Sequence, residues 1–470
     1  MTLLAEETQT AWRAPGGVLL VSCYELGHAP HGVALPLAFL EAAGFAPDAI
    51  DVAVDRLDAE KIARARIVGI SVPMHTALRL GVRVAERVRE INPTARLVFY
   101  GLYAGLNAAH LLDHSADYCI SGECETPLVR LIEALEAGRE PNAPGIIRRG
   151  TRPSPHLERL PFVTPSRTAL PALGGYARLE HDGESRVVGY TEASRGCKHL
   201  CTHCPIPPVY AGRFFAIPAA IVLADVRTQV AAGAAHLTFG DPDFLNGPTH
   251  ALRIARTLHA EHPHLTFDCT VKVEHLLAHR ELLPDLAACG CLFIITAVES
   301  LSDRVLALLE KGHTRADVEQ ALRLTRRAGI ALRPTWVAFT PWTTRADYAE
   351  VLHFIAGEGL IDHVDPVQYA VRLLIPPGSL LLQREEMRAH LGELDEERFT
   401  YRWAHPDPAM DRLHTEVTAL VEADAAAAVD PWRTFHRVRA LALGGDPSAV
   451  TEATPADRRR APRLSEPWFC

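Results

Sequence analysis

The chain has little of what would mark a secreted, membrane-spanning or disordered protein. No run of apolar residues approaches the roughly 20 needed to cross a bilayer. The opening residues, Met1-Thr-Leu-Leu-Ala-Glu-Glu-Thr, are acidic where a signal peptide is basic, so a cytoplasmic protein with no membrane partner is expected. Ten cysteines in 470 residues are too thinly spread for a disulfide scaffold. Positive charge is also short: 48 Lys and Arg against 57 Asp and Glu leave a net charge of −9. That provides no field to hold a polyanion and argues against dedicated nucleic-acid binding. No repeat of fixed period is found. A hydrophobic content of 48% excludes disorder as the main character, and the length suggests about two to four domains.

What is present is an alternation of short β-rich runs with amphipathic helical stretches. Over residues 15–140 the strands are expected at 18–23, 50–54, 67–72, 96–100 and 118–120, with helical patterns between them. Five such units fit an α/β, flavodoxin-like (Rossmann-like) doubly wound domain, whose ligands bind beyond the carboxyl ends of the strands. Residues 141–180 are a proline-rich linker. Over 181–380 the alternation resumes, with strands expected at 187–191, 236–239, 265–270, 292–298, 330–339 and 367–374. Six units make a partial (β/α)6 barrel of the TIM type, short of the eight that close one. Residues 381–450 read as a helical C-terminal region, beginning with a helix that overlaps the barrel's end at 377–391, and 451–470 as a flexible tail ending in Cys470.

The densest chemical signal is Ala193-Ser-Arg-Gly-Cys197-Lys-His-Leu-Cys201-Thr-His-Cys204-Pro, directly after the first strand of the second block. About 0.004 chance occurrences of this cysteine spacing are expected from the composition, so it is not accidental. Gly196 lets the chain turn sharply off the strand. Three thiolates on one loop can each take an iron of a cubane [4Fe-4S] cluster, which leaves one iron open to an external amine and carboxylate. The same thiolates with His199 or His203 would also complete a Cys3His zinc site.

This loop resembles the signature of the radical S-adenosylmethionine (SAM) superfamily, with His203 where the family usually has an aromatic residue. The resemblance implies that Cys197, Cys201 and Cys204 ligate the cluster and that its reduced form splits SAM into methionine and a 5′-deoxyadenosyl radical. It further implies SAM contacts at strand ends. Gly240, Asp241 and Asp243 in Phe239-Gly-Asp-Pro-Asp-Phe244 fall where the amino group is recognised, and Glu299 and Ser300 resemble the element beside the ribose. Lys272 and Arg333 are placed to pair with the carboxylate. Each of these also has an ordinary explanation as a turn, a helix cap or a surface charge.

A flavodoxin-like domain ahead of such a barrel resembles the cobalamin (B12)-binding class of the superfamily. Gly122-Glu123-Cys-Glu125 is similar to the Gly-Glu-x-Glu element of that class, and Ser71, Gly101 and Gly105 would let a flat corrin approach the backbone. The cobalt-ligating D-x-H-x-x-G motif is absent; His28 and His31 lie on the corresponding loop and are equally explained as surface histidines. The class implies methylation of an unactivated carbon. A radical rearrangement or cyclisation without methyl transfer, and a non-catalytic cobalamin or metal sensor, are the alternatives. A small-molecule or peptide substrate and an electron donor such as flavodoxin or ferredoxin are the implied partners. The end, Arg463-Leu-Ser-Glu-Pro-Trp-Phe-Cys470, resembles the group with a CUAEP or CCAEP tail, in which a selenocysteine or second cysteine would follow Cys470.

Overall fold

In the computed structural model, residues 11–451, 454–455 and 458–466 are described. Strands β1 (Val18–Ser22), β2 (Asp48–Asp51), β3 (Ile67–Ser71), β4 (Arg96–Tyr100) and β5 (Tyr118–Ile120) form a parallel sheet in the order β2-β1-β3-β4-β5. That is the flavodoxin-like order. β1 and β3 are buried along their whole length, as parallel strands covered on both faces must be. Alternate residues feed two cores: Leu19 and Val21 pack with the helix at His75–Ile91, whereas Val18 and Leu20 pack with those at His31–Ala42 and Glu125–Glu136.

The proline-rich segment is not purely a linker. Its β6 (Ile146–Ile147) pairs antiparallel with β5, and His156 bridges to Gly122. Farther on, Arg167 clamps Asp225 of the second domain through bonds of 2.7 and 2.9 Å.

The second sheet is built from β7 (Arg178–His181), β8 (Glu184–Thr191), β11 (His236–Phe239), β12 (Thr266–Thr270), β13 (Cys291–Glu299) and β14 (Ala331–Trp336). Between β8 and β11 in the chain lies the small hairpin of β9 (Ser194–Gly196) and β10 (Phe214–Ala216). The order is β14-β13-β12-β11-β8-β7-β17, where β17 (Arg463–Leu464) returns from near the C-terminus to pair antiparallel with β7. The strands β8 and β11–β14 are parallel and form a half-barrel.

The expected sixth barrel strand is reduced to one bridge, Phe339 to Arg372. Residues Pro366–Tyr369 take a 3-10 turn instead, and the Gln368 side chain accepts the Trp336 N–H that a sixth strand would have used. The helix expected at 377–391 is likewise replaced by two short turns and a hairpin of β15 (Leu391–Asp395) and β16 (Thr400–Trp403). Helices do follow at Pro408–Ala426 and Pro431–Ala442. The tail departs from expectation where it is described: Arg458 is held by Asp362 and Asp430 before β17 docks. Cys470 lies outside the described residues. Among the described residues, no helix is long and apolar enough to cross a membrane.

Gly122 sits at φ +84°, and a Cβ there would lie 2.3 Å from the His156 carbonyl oxygen. Gly122→Ala is therefore expected to cost about 1–3 kcal/mol of stability through backbone strain and loss of the bridge. A lowered urea midpoint with an unchanged slope is the measurement that checks it.

Candidate functional site

The cysteine loop emerges from the β9 strand. Gly196 has φ +72°, and a Cβ there would strike the Arg213 carbonyl oxygen at 2.4 Å, so the turn before Cys197 requires glycine. Cys197 and Cys201 are buried and Cys204 is partly so. Burial pushes the Cys204 thiol up to about 12, opposed by the backbone N–H of Ile206; the N–H of His199 is directed in the same way at Cys197. Such donors favour bound thiolates. Among the described residues, His199, Asp243 and His275 are the one set of potential ligand atoms lying within 4.8 Å of one another. The three sulfurs do not form such a converging set.

The loop has almost no regular structure and is held by its neighbours. Asp241 accepts from the Ala193 N–H at 2.8 Å and the Ser194 hydroxyl at 2.6 Å, fixing the entry to the loop. Thr202 donates through its N–H to the Leu309 carbonyl at 3.0 Å. Glu299 receives His203 at 3.1 Å and Lys311 at 3.3 Å. Burial alone would raise the Glu299 carboxyl; Lys311 and His203 hold it down to about 2. Glu299 pays with a left-handed backbone, φ +68°, unusual for a residue other than glycine. Ser300 is buried beside it and accepts the Ser302 N–H at 3.1 Å.

The remaining expected SAM residues divide. Lys272 lies next to the loop and bonds Glu274 at 3.3 Å, and Asp243 faces His275 at 2.7 Å. Gly240 makes room for Tyr190, whose hydroxyl would lie 1.8 Å from a Cβ at that position. Arg333 does not join the site. It pairs with Asp365 at 2.9 Å and donates to the Pro462 carbonyl at 3.3 Å, bracing the C-terminal segment across the half-barrel.

Between the two domains lies a cavity of about 300 Å³, lined by strand-end residues of both, among them Ser71, Gly101, Tyr190, Arg195 and Gly240. Gly101, at φ +101°, presents backbone to the cavity beside Val72 and Pro73. The Oε1 atom of Glu25 is buried there without a hydrogen bond. A Cβ on Gly32 would sit 2.7 Å from both that atom and the Ser71 hydroxyl. These features fit a broad ligand that approaches backbone and brings its own hydrogen-bonding groups. His28 lines the cavity, packs at a tilt against Tyr190 with ring centroids 4.7 Å apart and is driven by burial to about 4, so its ring is neutral. His31 is instead buried 3.6 Å from Glu192, outside the cavity lining. Gly105 is also away from it; a Cβ there would meet the Ser121 hydroxyl at 2.2 Å, so its smallness serves packing of the helix Leu102–Leu106 on β5.

Glu123 faces a clasp between the domains. Arg195, two residues before Cys197, reaches Glu125 at 2.6 Å, Glu192 at 2.9 Å and Glu123 at 3.1 Å, while Tyr210 donates to Glu123 at 2.8 Å. Burial raises Glu123 and Glu192 above the ordinary carboxylate range even beside this guanidinium. Sequence reasoning did not single out Arg195, Lys311 or Tyr190. Arg195 stood inside the quoted cysteine motif, whereas Lys311 carried no local signal.

Residues 191–353 match the model of the radical SAM superfamily. The chain is 29% identical over 196 residues to the ribosomal protein uS12 methylthiotransferase RimO of Desulfosudis oleivorans, across 38% of this chain and 43% of the relative. It thus spans less than half the length of that relative. In fold it is similar to the radical S-adenosylmethionine methyltransferase TsrM of Kitasatospora setae, solved with tryptophan and a SAM analogue: TM-score 0.65, 18% identity, covering 91% of this chain and 96% of that one. It is similar also to the cobalamin-dependent SAM radical enzyme OxsB, solved with aqua-cobalamin and SAM: TM-score 0.69, 15% identity, covering 87% of this chain and 67% of that one. At these identities the structures establish the fold.

Burial lifts the Glu25 carboxyl from 4.5 to about 8, only partly offset by the Gly32 N–H. The folded chain therefore holds a proton there that the unfolded chain releases, and this residue lowers stability as pH rises from 4.5 to about 8. Glu25→Gln cannot ionise. The variant is expected to match the parent near the acid end of that window and to exceed it in stability at the alkaline end, as urea unfolding of the ligand-free protein at both ends will read.

Proposed function

We propose that the protein, whose residues 191–353 match the radical SAM model, is a cobalamin-dependent radical SAM enzyme that methylates an unactivated carbon of a small-molecule or peptide substrate. The observation that carries this reading is the clasp. It joins the arginine two residues ahead of Cys197 to Glu123 and Glu125 of the first domain, beside a cavity that both domains line. When bound, the reduced [4Fe-4S] cluster and SAM supply a 5′-deoxyadenosyl radical, and cobalamin supplies a carrier for a methyl group.

The chain's own part is to hold these groups in register and keep water away. Cys197, Cys201 and Cys204 would ligate the cluster, and Lys311 beside Cys201 and Cys204 balances the charge of bound thiolates. Gly240, Lys272, Glu299 and Ser300 would hold SAM, Glu299 being joined to the loop through His203. Asp241 is occupied in holding the loop's entry and supports the site from behind. Ser71 and Gly101 leave the flat approach that a corrin needs, with His28 and Tyr190 across the cavity. Leu200, between two cluster cysteines, is 51% exposed and offers an apolar contact for a flavodoxin or ferredoxin.

Anaerobic reconstitution with iron, sulfide, cobalamin, SAM and a strong reductant is expected to release both 5′-deoxyadenosine and S-adenosylhomocysteine. Cys201→Ala is expected to lower 5′-deoxyadenosine by roughly 100-fold or more. Deoxyadenosine without S-adenosylhomocysteine in the presence of product would replace methyl transfer by rearrangement. Release of neither by a fully loaded protein would sink the enzymatic reading.

A further inference from the structure

We propose that His199, Asp243 and His275 form a second metal site, separate from the cysteine cluster, that takes one divalent transition-metal ion of the zinc type. The three come from different parts of the fold. His199 lies between Cys197 and Cys201 on the loop, Asp243 on the turn after β11, and His275 on the helix Val273–Ala278 after β12. Their ligand atoms lie within 4.8 Å of one another. The Nδ1 atom of His275 is 2.7 Å and the Nε2 atom of His199 is 3.7 Å from the same Asp243 oxygen, Oδ2. Ligands on one zinc ion stand about 3.4 Å apart, so a small adjustment would close the set.

The arrangement is incomplete as a hydrogen-bond network. Asp243 is fully buried, yet its Oδ2 has no hydrogen-bond partner, and neither do Nε2 of His199 and Nδ1 of His275. The 2.7 Å contact is short but misaligned for a hydrogen bond. Three orphaned polar atoms at one point in a buried setting are costly unless something accepts all of them together. Two imidazoles and one carboxylate are the donor set of zinc and of other divalent transition-metal sites that keep a position open. The other oxygen of Asp243 is held by the Leu245 N–H at 3.0 Å, which fixes the direction in which Oδ2 points. A metal here would staple the otherwise irregular cysteine loop to the ends of β11 and β12.

The test is metal analysis of the full chain, purified anaerobically and dialysed after exposure to zinc. About one zinc per chain is expected in addition to about four irons of the cluster. His275→Ala and Asp243→Asn should lose the zinc and keep most of the iron and its brown absorbance. A Cys197→Ala/Cys201→Ala/Cys204→Ala variant should show the reverse, with X-ray absorption reporting only nitrogen and oxygen around zinc. That variant leaves the three ligands intact and serves if His275→Ala does not fold. Absence of zinc in the parent, zinc content unchanged in a folded His275→Ala protein, or sulfur around the zinc would each overturn the site. Loss of SAM binding in His275→Ala with no zinc in the parent would assign these residues to the SAM head group instead.

Discussion

One guanidinium joins the two halves of this molecule. Arg195 is drawn toward three carboxylates from two places: Glu123 and Glu125 at the start of the last helix of the first domain, and Glu192 on its own approach to the cysteine loop. A buried arginine among three acids is a device for position more than for stability, since desolvating the charges offsets much of their attraction. Its value is geometric. Because Arg195 is two residues from Cys197, anything that fixes it against the first domain also fixes the start of the cluster loop against the cavity that the domains share. The fork of N–H groups allows several acids to be held at once, which a lysine could not do with the same directionality.

The loop itself illustrates a different constraint. A segment that must surround an inorganic cluster with sulfur has no helical or sheet hydrogen bonds to stabilise it, so its backbone is satisfied from outside. Asp241 holds the entry, the Leu309 carbonyl the middle, and Glu299 the side chain before the last cysteine. Glu299 does this from a left-handed backbone, a cost that Lys311 and His203 help to repay by stabilising its charge.

The parts of this design that are local were legible in the sequence. The cysteine spacing, Gly196 before it, and the β-α alternation of the first domain all follow from residues close together in the chain. Long-range pairing was not legible. The stretch at 367–374 has strand-like composition, yet Pro366 turns it and Gln368 caps the edge of β14. Arg333 reads in the sequence as a partner for the SAM carboxylate or a surface charge, and its pairing with Asp365 and the Pro462 carbonyl comes only from the fold. Gly105 was small for a neighbour, Ser121, that no local pattern could name. Lys311 gained its importance only from the fold that brings it to Glu299.

The docking of β17 on β7 has a consequence for how the molecule is made. The second sheet's outer edge is completed by Arg463 and Leu464, synthesised almost three hundred residues after β7 begins at Arg178. Ser465 and Glu466 then touch Arg178 and Tyr24, so the same closing step reaches back to the first domain. The flavodoxin-like sheet can form while the ribosome is still at work. The second sheet acquires that outer edge only after every strand of the half-barrel has been made, so the parallel strands can pair before β17 docks on β7.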